Sequence, residues 1–309
     1  MAKILVNDGM TVEGAQMLRD AGHVLEMEKV PQAELIDELG KYDAIIVRSA
    51  TNVRKKHIEA APRLKLIGRS GVGLDNIDVD YAKEMGVEVV NTPAASSDSV
   101  AEIVLAHMFA LSRSIIASNL TMRNSEWNKK QYKGVELAGK TLGIVGFGRI
   151  GRSLAQKACA LGMKVIGYHR SAIDTEFEVT NNLENMLPKC DYITLHVPSQ
   201  NKYLVDAEFI SMMKDGAFLI NCARGGIVDE KALLHALNSE KLRGAGIDVF
   251  EVEPATNMEL VNHPKISVTP HIGGSTVEAQ TRIGKELATK VIKYFKGFNT
   301  KKMQLRDDP

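Results

Sequence analysis

Cysteine is scarce in this chain: Cys159, Cys190 and Cys222 are three among 309 residues, and they are scattered. That excludes a disulfide framework and a thiolate metal site, which need paired cysteines at short spacing. An excess of one charge is also missing, since 39 lysines and arginines face 38 aspartates and glutamates, a formal net charge of +1. A nucleic-acid footprint calls for a clustered basic surface, so nucleic acid is not an expected partner. No apolar run approaches the roughly 20 residues that span a bilayer. The opening run ends at Asn7-Asp8-Gly9, too soon for a signal peptide's apolar region. A cytoplasmic chain with no membrane partner is the expectation. There is no H-E-x-x-H, no Walker lysine and no nucleophile elbow, so neither a metal nor a serine nucleophile is expected.

What is present is substantial apolar content, 44% of a chain long enough for two domains of ordinary size. Short β-branched runs at 3–6, 24–27, 44–47, 64–67 and 87–90 alternate with amphipathic stretches at 12–21, 32–39, 54–60 and 79–85. Gly22, Gly40 and Gly86 follow three of those stretches, where a left-handed capping residue is favoured. A break at Asn91-Thr92-Pro93 precedes one long helix over 100–120, entered through the N-cap candidates of Ser96-Ser97-Asp98-Ser99. A polar stretch, 124–139, carries Trp127, Lys129, Lys130 and Tyr132. Six further strands are expected at 142–145, 164–168, 192–197, 217–222, 246–249 and 266–269, the number a full dinucleotide-binding sheet uses. A last helix over 276–295 is followed by a polar, frayed tail beyond Phe298. Strands alternating with helices imply parallel crossovers and sheets covered on both faces.

The glycine-rich turn Gly146-Phe147-Gly148-Arg149-Ile150-Gly151 lies between the strand at 142–145 and a helix at 152–161. That is the context a dinucleotide fingerprint requires. Gly146 permits the tight turn, Gly148 lets backbone approach a pyrophosphate, and Gly151 allows close helix–strand packing. The fingerprint also predicts an acidic residue at the end of the next strand, to hold the ribose diol. Here that end reads Tyr168-His169-Arg170, with Asp174 somewhat later. Two readings stay open: a basic pair that accommodates a 2′-phosphate, or exposed loop residues that discriminate little.

Three polar residues stand where later strands give way to loops. Arg224, between small residues after 217–222, has a planar fork suited to a two-point grip on a carboxylate. Asp248, Glu251 and Glu253 follow or end the strand at 246–249. Glu253 is held by Pro254, and for Glu251 a solvated loop is the better account. His271, set between Pro270 and two residues short of Gly273-Gly274, is one of eight histidines. His107 and His235 fall within helices and His263 in a turn; His196 and His271 lie at strand ends, and His271 alone is set between a proline and two glycines. Imidazole titrates near neutrality and can exchange a proton at working pH. Together the trio suits hydride transfer between a nicotinamide and a 2-oxo or 2-hydroxy acid.

GFGRIG, NCARGGIVDE, IDVFEVEP and TPHIGGST, in that order, resemble the D-isomer-specific 2-hydroxyacid dehydrogenase family, and IIVRSAT with LIGRSGVGLDNID resembles its D-3-phosphoglycerate dehydrogenase branch. The resemblance covers essentially the whole chain. It implies an α/β fold of two doubly wound parallel-sheet domains: a flavodoxin-like substrate domain of 1–94 plus 276–309, and a Rossmann nucleotide-binding domain of 95–275. It implies Arg224 as the carboxylate ligand, His271 as the acid and base, and Glu253 as the carboxylate that tunes it. Asp248 is expected at the nicotinamide carboxamide. Gly146, Gly148, Arg149, Ile150 and Gly151 are expected along the cofactor, as are His169, His196, Val197, Pro198, Cys222, Ala223 and Gly273. Arg48, Ser49, Arg69, Ser70, Gly71 and Val72 are expected to bind substrate, the arginines at a phosphate.

NAD is the expected cofactor, with NADP left open by His169 in place of the family's usual aspartate. A small phosphorylated 2-hydroxy or 2-oxo acid is the expected substrate, and a homodimer formed through the arm at 119–139 the expected assembly. No serine feedback through a C-terminal regulatory domain is expected. The alternatives are a hydroxypyruvate or glyoxylate reductase of the same family and, in another class, a dinucleotide-sensing co-repressor-like protein, since fold alone does not separate them.

Overall fold

The computed structural model describes residues 1–304, with side chains described as far as Gly297. Two compact units emerge from it, one built from Met1–Ser96 with the segment from Gly274 onward, the other from Ser97–Gly273.

The first unit holds β1 (Lys3–Val6), β2 (Val24–Glu26), β3 (Ala44–Val47), β4 (Leu66–Arg69) and β5 (Glu88–Asn91), all parallel, in the order β2-β1-β3-β4-β5. This is the flavodoxin-like order. Its central strand β3 reads Ala-Ile-Ile-Val and is buried throughout. A strand covered on both faces needs a continuous apolar run rather than alternation. The helix Val277–Gln304 returns to this sheet, placing Leu287, Ala288, Val291 and Phe295 in a core with Ile4, Val6 and Ile46. Its described span continues to Gln304, past the expected end at 295; residues 305–309 of the expected tail lie outside the described residues.

The second unit holds β6 (Thr141–Val145), β7 (Lys164–Tyr168), β8 (Glu178–Thr180), β9 (Tyr192–Leu195), β10 (Ala217–Asn221), β11 (Leu242–Ile247) and β12 (Ile266–Val268). They pair in the order β12-β11-β10-β9-β6-β7-β8, all parallel. Strand order reverses between β6 and β9, the switch point where doubly wound sheets bind ligands beyond their strands' carboxyl ends. The fold is thus two doubly wound parallel sheets. It has seven strands here rather than six, because β8 is a three-residue edge strand, Glu-Val-Thr, too short to show a period.

Two local expectations change. The single helix over 100–120 is two, Ser97–Ser112 and Ile115–Arg123, bent by 63°. Ser112 Oγ donates back to the Met108 carbonyl, Val135 N–H takes the Ser112 carbonyl, and Ser114 sits at φ +51°, where a right-handed helix stops. Apolar periodicity persisted across the break because the second helix is apolar without being buried. The strand expected at 64–67 runs Leu66–Arg69, so Arg69 is its last residue. Among the described residues, no single helix is long and apolar enough to cross a membrane. The helix Ser97–Ser112 puts Val100, Ala101, Val104, Leu105 and Met108 into the core under β6.

Candidate active site

In the second unit, β10, β11 and β12 lie side by side, and their carboxyl ends carry Arg224, Glu253 and His271. His271 Nδ1 lies 2.7 Å from Glu253 Oε2. A carboxylate only accepts, so Nδ1 carries the shared proton and Nε2 is the nitrogen left for exchange with a substrate. Both side chains are about two-fifths exposed, 40% and 37%. A pair so solvated contributes at most about 1 kcal/mol to stability, so its consequence is orientation of the ring. Glu253 Oε1 also accepts from the Phe250 N–H at 3.2 Å, which anchors the carboxylate to its own turn. Glu251, by contrast, is exposed and accepts from Glu230 N–H, a helix-capping contact.

Arg224 is half-buried, with the Asn221 amide donating to its carbonyl at 3.0 Å and its own guanidinium donating to the Ala223 carbonyl at 2.6 Å. The next residue, Gly225, lies against the Phe250 carbonyl on the turn that leads to Glu253. Arg224 and Glu253 therefore occupy adjoining loops.

His271 has φ +54°, a left-handed conformation that costs a non-glycine residue about 1–3 kcal/mol. The surrounding loop over-determines it. Asp248, 1% exposed, lies just beyond β11 rather than within it, and accepts from Thr269 Oγ1 at 2.6 Å, Ile272 N–H at 2.8 Å and Gly273 N–H at 2.8 Å. Ser99 Oγ holds the Gly273 carbonyl at 2.6 Å. In the sequence Ser99 was legible only as an N-cap candidate and Thr269 only as the head of the TPHIGGST motif; what each of them binds appears once the fold brings it to the loop.

At the switch point, Gly146 adopts φ +98°, and a Cβ there would run into the His196 carbonyl and the Val197 side chain. A Cβ at Gly148 would meet nothing within 4 Å. The helix Arg149–Ala160 starts inside the fingerprint, three residues earlier than expected, and Gly148 offers it no side-chain cap. Its first N–H groups have no intrahelical partner, which is what an anion at a helix N-terminus requires. His196 Nδ1 is sealed from solvent without a partner, and burial pushes the ring's pKa down to about 4. Near neutrality the ring is therefore neutral. Val197 is half-buried beside it and Pro198 exposed. His169 Nδ1 lies 2.9 Å from the Ser171 carbonyl while Arg170 is exposed. Burial, with the Asp248 charge adding, pushes the Cys222 thiol well above its ordinary value, so it is no nucleophile.

Residues 105–273 match the family described as D-isomer specific 2-hydroxyacid dehydrogenase, NAD binding domain. The chain belongs to the D-isomer specific 2-hydroxyacid dehydrogenase family. That family consists of NAD-dependent enzymes, and the β6 turn fits the group: the glycine cradle and the uncapped helix start suit a pyrophosphate. The chain is 43% identical over 298 residues to the hydroxypyruvate reductase of Thermotoga maritima, spanning 94% of this chain and 97% of that one. It is 41% identical over 304 residues to the D-3-phosphoglycerate dehydrogenase of Methanocaldococcus jannaschii, covering 96% of this chain and 58% of that protein's length. Among solved structures, an NADPH-dependent glyoxylate/hydroxypyruvate reductase from Sinorhizobium meliloti, in complex with NADP and malonate, matches with a TM-score of 0.84 at 26% identity, over 95% of this chain and 93% of that one.

In the first unit of this dehydrogenase, Arg69 ends β4 and Arg48 directly follows the neighbouring β3, whose last residue, Val47, pairs with Arg69. The turn after β3 is clamped from two sides. Asp8 accepts from Arg48 N–H at 2.7 Å, Thr51 N–H at 3.1 Å and Thr51 Oγ1 at 2.7 Å, while Asn76 donates to the Arg48 and Thr51 carbonyls at 2.8 and 2.6 Å. Ser49 at its tip is exposed. After β4, successive carbonyls are each engaged: Ser70 by Arg69, Gly71 by Thr92 N–H and Val72 by Asn91.

Proposed function

We propose that this enzyme interconverts 3-phosphoglycerate and 3-phosphohydroxypyruvate. The observation that carries the reading is that two arginines stand where neighbouring parallel strands finish, Arg48 just after β3 and Arg69 as the last residue of β4, beside a backbone strip whose carbonyls are engaged. Two arginines at neighbouring strand ends bring positive charge that suits a doubly charged phosphate better than a hydroxymethyl group. In this reading the unit Ser97–Gly273 holds the dinucleotide, and the substrate-recognition residues of the other unit are Arg48, Arg69 and the backbone of Ser70, Gly71 and Val72.

The bound nicotinamide supplies the acceptor or donor of hydride at carbon 2. Arg224 grips the substrate carboxylate and polarises the neighbouring carbonyl. His271 Nε2 takes the hydroxyl proton during oxidation and returns it during reduction. Glu253 keeps Nδ1–H engaged, so the ring presents one nitrogen and one tautomer. Asp248 aligns the carboxamide. Gly146, Gly148, Arg149, Ile150 and Gly151 cradle the pyrophosphate, with His196, Val197, Pro198, Cys222, Ala223 and Gly273 lining the rest of the crevice. His169 and Arg170 offer a 2′-phosphate site, and the NADPH-dependent relative supports tolerance of both cofactors.

A second reading, hydroxypyruvate or glyoxylate reductase, is favoured by the T. maritima relative, which the chain matches over nearly its full length. Absorbance at the nicotinamide band decides between them, with 3-phosphohydroxypyruvate, hydroxypyruvate and glyoxylate each offered with NADH and NADPH. The phosphorylated acid should give the highest kcat/KM. Arg48→Ala or Arg69→Ala should lower that value by about 10–100-fold, since a hydrogen bond to a charged group contributes roughly 1.5–3 kcal/mol, and should leave glyoxylate within about threefold. Dominant turnover of an unphosphorylated acid, or equal losses for all three, would establish the second reading.

We also propose that the enzyme is a homodimer. The helix Ile115–Arg123 buries none of its residues, and Ile115, Ile116, Leu120, Met122 and Trp127 stand between 46% and 77% exposed. Contiguous apolar surface of this kind marks an interface, and a two-fold pair is the commonest way to cover it. Light scattering should give twice the mass of one chain, and Leu120→Glu should halve it. A monomeric parent protein excludes this assembly.

A further inference from the structure

The helix Ser97–Ser112 carries an imidazole into the core of the second unit. His107 is 2% exposed and has no part in the proton transfer described above. It lies over β11 because Gly246 has no side chain; a Cβ there would come within 2.7 Å of the His107 Cβ. Both ring nitrogens have partners, Nδ1 with Ser267 Oγ at 2.8 Å and Nε2 with Thr269 Oγ1 at 3.1 Å.

The direction of these bonds follows from their far end. The Asp248 carboxylate only accepts, so the Thr269 hydroxyl commits its proton to Asp248 Oδ1. Thr269 Oγ1 then offers His107 nothing but lone pairs. Nε2 must therefore carry the ring proton, and Nδ1 accepts from Ser267. Burial lowers the pKa of His107, against a weaker opposing pull from the Asp248 charge, so the neutral ring with one N–H is the resident form near neutrality. A buried hydrocarbon would fill this space at less desolvation cost. A polar ring whose two partners both lie on β12 and its exit does more than fill volume.

We propose that His107 is a positioning residue for the acid–base histidine: through Thr269 and Asp248 it sets the backbone of the loop from Thr269 to Gly273 and with it the place of His271 opposite Glu253. Thr269 precedes His271 by two residues, and the Ile272 and Gly273 N–H groups that Asp248 also binds follow it directly. One buried carboxylate thus grips the loop on both sides of the left-handed residue, and His107 holds the hydroxyl that grips the near side. The role rests on the reading of His271 as the proton-transferring group.

Four variants of the full chain test it: His107→Leu, His107→Gln, Thr269→Val and Thr269→Ser, with kcat, KM, thermal midpoint and NADH affinity measured for each. His107→Leu fills the site without a donor, whereas glutamine keeps an N–H near the Nε2 position. The expected result is a kcat about 10- to 100-fold lower for His107→Leu, the scale of a displaced catalytic group, with KM and NADH affinity within about threefold. His107→Gln should recover most of that loss. Thr269→Val should copy the leucine variant and Thr269→Ser the parent, and this second pair decides alone if His107→Leu does not fold. Unchanged kcat in His107→Leu or Thr269→Val overturns the role, as does equal loss in the conservative and non-conservative members of a pair. His271→Asn separates the two levels. If it is inactive while His107→Leu is unimpaired, only the positioning role fails; if it is active, the reading of His271 fails first.

Discussion

His271→Asn should lower kcat by about 10²–10⁴, the usual contribution of a positioned acid or base. Asparagine is the informative replacement because it tolerates left-handed backbone better than most residues, and His271 sits at φ +54°. Its amide can still donate toward Glu253, so the loop and its clamp on Asp248 survive. What disappears is an imidazole nitrogen that can take up and return a proton. NADH affinity should stay within about threefold, because the glycine turn that suits the pyrophosphate lies on β6 and is untouched. Stopped-flow turnover and fluorescence titration separate the two quantities. A variant retaining kcat within threefold of the parent removes His271 from proton transfer.

The second large effect is at Arg224. Truncating one partner of a desolvated charge pair costs about 2–5 kcal/mol, so Arg224→Ala should lower kcat/KM by roughly 30- to 3,000-fold at 1.4 kcal/mol per decade. Arg224→Lys should recover little of it. An ammonium supplies charge without the planar two-point geometry, and arginine's guanidinium also donates to the Ala223 carbonyl. The loss should fall on KM for the 2-oxo acid together with kcat, leaving NADH affinity near that of the parent. Full recovery by lysine would show that charge alone is used. No effect on KM would place the substrate carboxylate elsewhere.

Much of the fold was legible in the chain because parallel strands covered on both faces must be continuous apolar runs. Ala-Ile-Ile-Val at β3 and Ala-Phe-Leu-Ile-Asn at β10 have little else they can become. Failures came where burial and periodicity part company. The helix break at Ser112–Ser114 was invisible because its second half is apolar yet exposed, and β8 was invisible because three edge residues leave no period. At the site, glycines, prolines and strand ends drew attention to Arg224, Glu253 and His271. Nothing local marked the partners of Ser99, His107 or Thr269, which are contributed by distant elements: His107 reaches Ser267 and Thr269 across 160 and 162 residues of chain.

The amino-acid sequence by itself determined the parallel α/β layering, the glycine cradle and which polar residues stand near the strands' carboxyl ends, since these follow from local sterics, apolar runs and motif order along the polymer. Only the tertiary structure decided that Glu253 meets His271 at 2.7 Å, that Asp248 holds the loop on both sides of that histidine, and that a buried imidazole orients the hydroxyl between them. Those are hydrogen bonds between groups far apart in the chain, and their geometry exists only once the sheet has set neighbouring strand ends side by side.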